Sequence, residues 1–228
     1  ASDFTDADEI VNKDAVSTMT ALGIINGKED GSYFDPTGTV TRAEMAKMLC
    51  VAINGGVDPV LGVKDTPTFT DIKGHWAESY IEYCAANGII AGRGNNKFDP
   101  TGTVSATEAA KMLLGVLGYN AEKSGLVGND WAINTNVLAN QNGLYKLNAN
   151  TLLTRDNAAQ MIYNALDANM VELNAAGNYT TSQYSYTGTE SVVTGTERVW
   201  VVKIKDSSVN DAVKALDGSV YNSRQDAI

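Results

Sequence analysis

Histidine, cysteine and proline are scarce in this chain. Its 228 residues include one histidine, two cysteines and four prolines. The single histidine, His75, leaves too few soft ligands for a zinc site, and neither Cys50 nor Cys84 lies in a Cys-x-x-Cys pair. We therefore expect no metal and no cofactor. Both cysteines fall within apolar helical stripes, which predicts buried and inert thiols and leaves a disulfide between them open.

Long hydrophobic runs and an excess of basic residues are also absent. No apolar stretch approaches the roughly 20 residues that a membrane-spanning helix requires. The 17 lysines and arginines are outnumbered by 27 aspartates and glutamates, which gives a formal net charge of −10. Nucleic-acid binding requires a basic surface, so this balance argues against nucleic acid as a partner. An acidic ligand would have to be held locally by a few arginines.

A helix stop, a tight loop and a helix start follow one another between Gly23 and Glu44. Gly23 ends an apolar-periodic run, as expected of a left-handed residue just past a helix. Asp35-Pro36 blocks helix continuation, and Thr41-x-x-Glu44 is typical of a capping box that opens the next helix. The sequence therefore predicts a helix-loop-helix unit.

The unit recurs along the chain. Residues 88–108 repeat it almost word for word with one residue fewer, and a weaker third copy runs from Gly143 to Asn157. Phe4-Thr5-Asp6 opens the first repeat, and Phe69-Thr70-Asp71 opens the second. Such internal repetition predicts one supersecondary unit used three times.

Each repeat should contribute two helices. The first helices are predicted to begin near Asn12, Trp76 and Trp131, and the second helices to follow the N-caps Thr41, Ser105 and Thr154. A two-helix unit cannot bury its apolar face alone, so we expect a mainly α fold in which three helix-loop-helix repeats pack with pseudo-threefold symmetry. The predicted faces of the second helices include Met45, Met48, Leu49, Ala52, Ala109, Met112, Leu113, Val116, Ala158, Met161, Ile162, Ala165 and Leu166.

Composition sets the domain boundaries. Gly-, Pro- and Asp-rich residues 54–68 are predicted to be a linker, and residues 118–130 a second one. The C-terminal segment is rich in Thr, Ser, Gly and Tyr, with a β-forming run at Arg198–Lys205 and a short helix expected at Asp211–Leu216. The predicted division is repeat one at 1–53, repeat two at 69–117, repeat three at 131–168, and a β-rich tail or the start of a following domain at 169–228.

These motifs resemble those of S-layer homology repeats. Phe-Thr-Asp, Trp-Ala, Gly-Ile-Ile-x-Gly, Phe-Asp-Pro-Thr-Gly-Thr-Val and Thr-Arg-Ala-Glu occur in that order, and the resemblance covers residues 4–167. It implies a three-lobed helical module at the bacterial cell surface, in the cell wall or S-layer, that binds a secondary cell-wall polymer. In that family the grooves between lobes hold pyruvylated N-acetylmannosamine, using an arginine, a tryptophan and loop glycines. Other S-layer subunits are further partners that the resemblance implies.

The resemblance assigns candidate ligand-binding residues, although no single repeat is complete. The family arginine matches Arg42 and Arg155, while the second repeat has Ala106 at that position. The tryptophan matches Trp76 and Trp131, while the first repeat has Val11. The loop glycines are Gly23 and Gly88. At most two sites should then be complete, combining Arg42 with Trp76 or Trp131, and Arg155 with Trp131 or Trp76.

The chemistry of these residues suits an acidic sugar. An arginine just after an N-cap stands beside helix N–H groups, and its planar fork matches a carboxylate. A tryptophan face can stack on the apolar side of a sugar ring. Two other interpretations stay open at this point: Arg42 is a solvated surface charge, or Trp76 is a core residue.

Catalytic and calcium sites find little support. Residues 26–37 have a passing likeness to a calcium loop, but Lys28 occupies a ligand position and Thr37 the place of the closing glutamate. No serine or cysteine has an evident base and orienting group, so we expect no enzyme activity in these repeats. We expect a noncatalytic wall-anchoring module. The alternatives are degenerate repeats that serve as a packing or lattice-forming unit, and the anchor of an enzyme whose catalytic domain lies beyond Ile228.

Overall fold

The computed structural model describes residues 4–144 and 153–181, together with the backbone of four strands between residues 186 and 221. The expected mainly α fold with a small β-containing C-terminal segment is confirmed. A short 3-10 helix at Ala7–Glu9 precedes helices α1 (Lys13–Ala21), α2 (Arg42–Ile53), α3 (Glu78–Ala86), α4 (Ala106–Val116), α5 (Trp131–Gln141) and α6 (Arg155–Leu166).

Capping residues set the ends of these helices. Thr41 and Ser105 each form a complete capping box, with Glu44 and Glu108 respectively, at the starts of α2 and α4. The Thr154 side chain accepts a hydrogen bond from the backbone of Asn157 at the start of α6. The first helices end at glycines with positive φ, namely Gly23, Gly88 and Gly143, at 71°, 69° and 71°. The predicted helix end and the predicted helix start are therefore present in all three repeats.

The apolar faces of the second helices form the centre of the core. Of the predicted face residues, ten are buried, and Ala52, Val116 and Leu166 at the C-terminal ends are half-buried. The helix α4 contacts both α2 and α6, which brings the three faces together. Burial of this shared face is what holds the repeats in one unit.

Helices pair between repeats. The helix α2 of the first repeat packs against α3 of the second, and α4 of the second packs against α5 of the third. The ring closes because α6 of the third repeat packs against α1 of the first. This cyclic exchange is the pseudo-threefold packing that the repeats predicted.

The first helix of the second repeat begins two residues later than predicted. A turn at Gly74, with φ of 75°, precedes the helix, and the His75 side chain accepts a hydrogen bond from the backbone N–H of Ala77. The helix α3 therefore begins at Glu78, and Trp76 lies outside it with 57% of its surface exposed. The interpretation of Trp76 as a core residue is wrong.

The C-terminal strands form two antiparallel sheets. Strands β1 (Val171–Leu173) and β2 (Tyr179–Thr181) pair as a hairpin, with Val171 opposite Thr181. A second sheet has the order β3-β4-β5-β6, made of Tyr186–Thr194, Glu197–Ile204, Val213–Ala215 and Val220–Tyr221. The predicted β run near Arg198 is confirmed as β4. The helix expected at Asp211–Leu216 is wrong, because its central residues pair with β4 as a strand.

No helix in the described part of the chain is both long enough and apolar enough to cross a lipid bilayer.

Candidate functional site

The aspartate of each Phe-Thr-Asp motif fixes the long loop of its own repeat. The Asp6 carboxylate accepts hydrogen bonds from the backbone N–H groups of Phe34 and Asp35, at 2.9 and 2.7 Å. Asp71 repeats the arrangement with the N–H groups of Phe98 and Asp99, at 2.9 and 2.8 Å. Burial raises the pKa of Asp71, but the two N–H groups outweigh it and lower that pKa overall.

The fixed loops receive the N-termini of helices from neighbouring repeats. The backbone N–H of Arg42 donates to the carbonyl of Gly102 at 2.9 Å, and that of Ala43 to Pro100 at 3.0 Å. Correspondingly, the N–H of Arg155 donates to the carbonyl of Gly38 at 2.8 Å. These N–H groups at the starts of α2 and α6 thus bind loop carbonyls and are not available to a ligand.

The Arg42 side chain reinforces the same junction. Its Nε donates to the carbonyl of Phe98 and its Nη2 to that of Ala91, both at 2.7 Å. The guanidinium lies 4.3 Å from the centre of the Phe98 ring, and only 3% of the residue is exposed. Burial lowers the pKa of Arg42. The interpretation of Arg42 as a solvated surface charge is therefore wrong.

Arg155 makes the equivalent contacts at the junction of the third and first repeats. Its Nε donates to the carbonyl of Phe34 and its Nη2 to that of Asn26, both at 2.7 Å. The residue is 5% exposed, and its guanidinium lies 5.1 Å from the centre of the Phe34 ring. Both arginines of the repeated motif therefore tie the second helix of one repeat to the loop of another.

A cavity of about 420 Å³ lies beside Arg42 and draws on all three repeats. We call it the Arg42 cavity. Arg42 comes from α2, Lys111 and Glu108 from α4, and Trp131 from the start of α5. The structure thus brings Arg42 together with Trp131, one of the predicted combinations. The loop of the second repeat supplies Gly92 and Arg93 to its lining, whereas the predicted Gly88 lies outside the lining and serves as the helix-ending residue.

Lys111 is the cavity cation that has no carboxylate partner among the described residues. Its Nζ lies 5.3 Å from the centre of the Trp131 ring, a cation–π contact. Burial and, to a smaller extent, the charge of Arg42 lower the pKa of Lys111. A half-buried cation that is destabilised in this way favours the approach of an anion.

The other charges of the Arg42 cavity neutralise one another in part. Arg93 pairs with Asp99 at 2.6 Å and with Glu108 at 2.9 Å, and it donates to the carbonyl of Thr103. Glu108 also faces the Nη1 of Arg42 at 3.6 Å. The lining therefore contains three cations, Arg42, Arg93 and Lys111, and one carboxylate, Glu108. This excess gives the cavity a local positive charge on an acidic protein.

Sequence reasoning missed Lys111 and Arg93. The signal for Lys111 was available, because a lysine follows the capping-box glutamate by three positions in both strong repeats, as Lys47 and Lys111. Arg93 likewise stands at the position of Lys28 in the first repeat. The spacing alone does not show that Lys111 meets a tryptophan of the third repeat, since that contact depends on the exchange of helices between repeats.

A second cluster surrounds Trp76 on the first and second repeats. We call Lys47, Asp58, Trp76 and Tyr80 the Lys47 cluster. The rings of Trp76 and Tyr80 lie 6.4 Å apart, and the Nζ of Lys47 lies 5.6 Å from the Tyr80 ring centre. Lys47 pairs with Asp58 at 3.0 Å, and the Tyr80 hydroxyl donates to Asp58 at 2.6 Å. Lys47, unlike Lys111, already has a carboxylate partner.

The remaining predicted positions lie outside the Arg42 cavity and the Lys47 cluster. Gly23 ends α1, and a Cβ added there would lie 3.2 Å from the carbonyl oxygen of Gly56. Val11 is 81% exposed, and Ala106 is buried at the start of α4. The loop of the third repeat, residues 145–152, lies outside the described residues.

Comparison with known proteins identifies two segments. Residues 3–46 and 68–110 match the family model of the S-layer homology domain. The matched segments contain the loop, the aspartate anchor and the second-helix start of the first two repeats.

Several curated relatives carry similar segments. An S-layer protein of Bacillus licheniformis is 32% identical over 49% of this chain and 12% of its own length. Exoglucanase XynX of Acetivibrio thermocellus is 28% identical over 62% of this chain and 14% of its own length. A cellulosome-anchoring protein of Acetivibrio thermocellus is 30% identical over 43% of this chain and 22% of its own length. The chain thus spans under a quarter of the length of these relatives.

Proposed function

Since this chain belongs to the S-layer homology domain family, we propose that it is a noncatalytic module that anchors a larger bacterial surface protein to the cell wall. The names of the relatives support this proposal, because they include S-layer proteins, a cellulosome-anchoring protein and an exoglucanase. Proteins with such different names share these repeats, so a shared role in attachment explains the repeats better than a shared reaction. Any catalysis would then belong to other parts of the protein.

The Arg42 cavity is the proposed binding site for a pyruvylated N-acetylmannosamine unit of a secondary cell-wall polymer. The supporting observation is the pairing of Lys111 with Trp131 at the cavity, 5.3 Å apart. The tryptophan offers a face to a sugar ring, and Lys111 offers a cation without a carboxylate partner among the described residues to the pyruvyl carboxylate. Arg42 can add only Nη1, which already faces Glu108 at 3.6 Å, because Nε and Nη2 are held by loop carbonyls.

The Lys47 cluster is the proposed second and weaker site. If the repeats are equivalent under the pseudo-threefold rotation, Arg155, Lys47 and Trp76 correspond to Arg42, Lys111 and Trp131. The Asp58 carboxylate already neutralises Lys47, so a ligand carboxylate would have to displace it. The same rotation generates a third position, which has Ala106 in place of the arginine and Val11 in place of the tryptophan.

The burial of both motif arginines favours a second candidate function. Their guanidinium groups bind backbone carbonyls between repeats, as a purely structural packing or lattice-forming unit would require. In that case the Arg42 cavity would have no ligand.

Sedimentation with isolated cell walls separates the two functions. The anchoring proposal predicts that the chain pellets with walls that carry the pyruvylated polymer and stays in the supernatant after the pyruvyl groups are removed. A Trp131→Ala variant should pellet less, whereas Tyr33→Ala, at an exposed position outside the cavity lining, serves as the matched control. Equal pelleting before and after pyruvyl removal would favour the structural alternative.

A further inference from the structure

Cys50 and Cys84 face each other across the junction of the first two repeats. Cys50 lies on α2 and Cys84 on α3, 34 positions apart in sequence. Their Sγ atoms are 3.5 Å apart, and the residues are 1% and 0% exposed. This is a cross-helix pair of thiols within the core.

Apart from the other thiol, each sulfur has one backbone carbonyl nearby, at a long distance. The Cys50 Sγ lies 3.7 Å from the carbonyl of Tyr80, and the Cys84 Sγ lies 3.8 Å from the carbonyl of Ala46. Neither thiol lines the Arg42 cavity or belongs to the Lys47 cluster. The proposed function therefore leaves this pair of thiols without a role.

We propose that Cys50 and Cys84 form a disulfide that joins the first repeat to the second. A disulfide requires an S–S distance of about 2.05 Å, so the sulfurs must approach each other by about 1.5 Å. The two helices already pack directly against each other, which holds the two cysteines side by side. A cell-surface location, as proposed above, is an environment in which such a bond persists.

The oxidant is a second disulfide, either of low molecular weight or in the active site of a thiol oxidoreductase. A thiolate of one cysteine attacks this disulfide and releases one thiol, which leaves a mixed disulfide on the protein. The second cysteine then attacks the mixed disulfide as its thiolate, forming the Cys50–Cys84 bond and releasing the second thiol. The protein loses two electrons and two protons, and the oxidant gains both.

The bond has to form before the two helices close. In the folded protein the hydrogen bond between the thiols, together with burial, raises the pKa of Cys84, so the reactive thiolate is scarce. Exchange is therefore expected during folding, while α2 and α3 are still accessible. Once formed, the bond spans the segment at residues 54–68 and limits the separation of the repeats in the unfolded chain.

The test is refolding of the full chain from denaturant in a mixture of reduced and oxidised glutathione, followed by denaturation, alkylation and intact mass measurement. The proposal predicts a mass lower by two hydrogens and no alkyl groups, with two alkyl groups appearing after reduction. Reduction should also lower Tm by about 5–15 °C. In a Cys50→Ala variant, reduction should leave Tm unchanged.

Two results would overturn the proposal: two alkyl groups on the refolded protein without prior reduction, or a stable mixed disulfide with glutathione. Both measurements use the chain alone and no glycan. Their outcome is therefore independent of whether the Arg42 cavity binds a cell-wall polymer.

Discussion

Arg42 and Arg155 occupy the first position of α2 and α6, and each donates two hydrogen bonds to carbonyls of a loop in another repeat. The sequence motif shows an arginine at a helix start, which fits a ligand-binding role as well as a packing role. The structure shows the packing role directly. Its energetic consequence can be measured without any ligand.

We expect Arg42→Ala to lower the free energy of unfolding by roughly 2–4 kcal/mol, because it leaves the carbonyls of Phe98 and Ala91 without these donors. Arg42→Lys should recover part of the loss, since lysine keeps the charge but lacks the planar fork. The exposed Lys73→Ala is the control and should change the value by less than about 0.5 kcal/mol. Urea unfolding curves measure all three. A change below about 1 kcal/mol for Arg42→Ala would contradict the role at the junction.

Asp58 controls the chemistry of the Lys47 cluster. Its carboxylate accepts a hydrogen bond from Tyr80, and this bond, with burial and the negative charge of Asp58, raises the pKa of Tyr80 to about 12. The same bond, with Lys47, lowers the pKa of Asp58.

Asp58→Asn should bring the pKa of Tyr80 back towards its ordinary value of about 10, because the charge that opposes the phenolate is gone. An ultraviolet absorbance titration shows this, with Tyr80→Phe identifying the signal. Asp65→Asn, an exposed position in the same predicted linker, should leave the titration as it is. An unchanged Tyr80 titration in Asp58→Asn would contradict the contact. The variant also frees Lys47 for a ligand carboxylate.

At the scale of helices, much of the structure follows from local signals. The capping boxes at Thr41 and Ser105 place the starts of α2 and α4, and the spacing of methionines and leucines places their buried faces. These features depend on residues close in sequence. They are therefore readable without knowing what the helices pack against.

The pairing of helices is not readable in the same way. The helix α3 packs on α2 of the preceding repeat, so tertiary contacts decide which tryptophan meets which arginine. The position of Trp76 is also not predictable from the apolar pattern. Trp76 continues the apolar period of Tyr80 and Cys84, but the turn at Gly74 delays the start of α3 until Glu78. The sequence alone accordingly leaves the partner of Arg42 open between Trp76 and Trp131, and the structure places Trp131 in the Arg42 cavity.

At the scale of the whole molecule, the six described helices form a closed ring of pairs. Because α2 packs on α3, α4 on α5 and α6 on α1, no sequence repeat is a separate packing unit. The boundaries that the sequence predicts for the repeats and linkers, such as the linker at 54–68, therefore stay predictions. The ring has a direct consequence for cleavage.

Proteolytic cleavage within residues 54–68 should leave both fragments associated, because α1 and α2 remain packed on α6 and α3. Gel filtration of the nicked protein under reducing conditions, which exclude a Cys50–Cys84 bond, should give one peak at the size of the intact chain. The same nicked sample in denaturant, as a control, should give two. Release of the first repeat as a stable fragment in native buffer would contradict the closed ring.

The Arg42 cavity, a local positive site on a protein of net charge −10, is proposed to hold an acidic sugar. Removal of the Lys111 charge should weaken binding of the sugar more than a change of one unit in net charge elsewhere. A charge-assisted hydrogen bond contributes roughly 1.5–3 kcal/mol, or at least about tenfold in affinity. Lys111→Met keeps a straight side chain and removes only the cation. The exposed Lys123→Met, outside the cavity lining, makes the same change in net charge and is the control.

Calorimetric titration of these proteins with a pyruvylated N-acetylmannosamine disaccharide and with its unpyruvylated counterpart tests binding at the Arg42 cavity most directly. We expect the wild type and Lys123→Met to bind the pyruvylated sugar alike and the unpyruvylated sugar at least about tenfold more weakly. Lys111→Met should lose at least about tenfold in affinity for the pyruvylated sugar. Equal affinity of the wild type for the two sugars, or undiminished binding by Lys111→Met, would contradict the account.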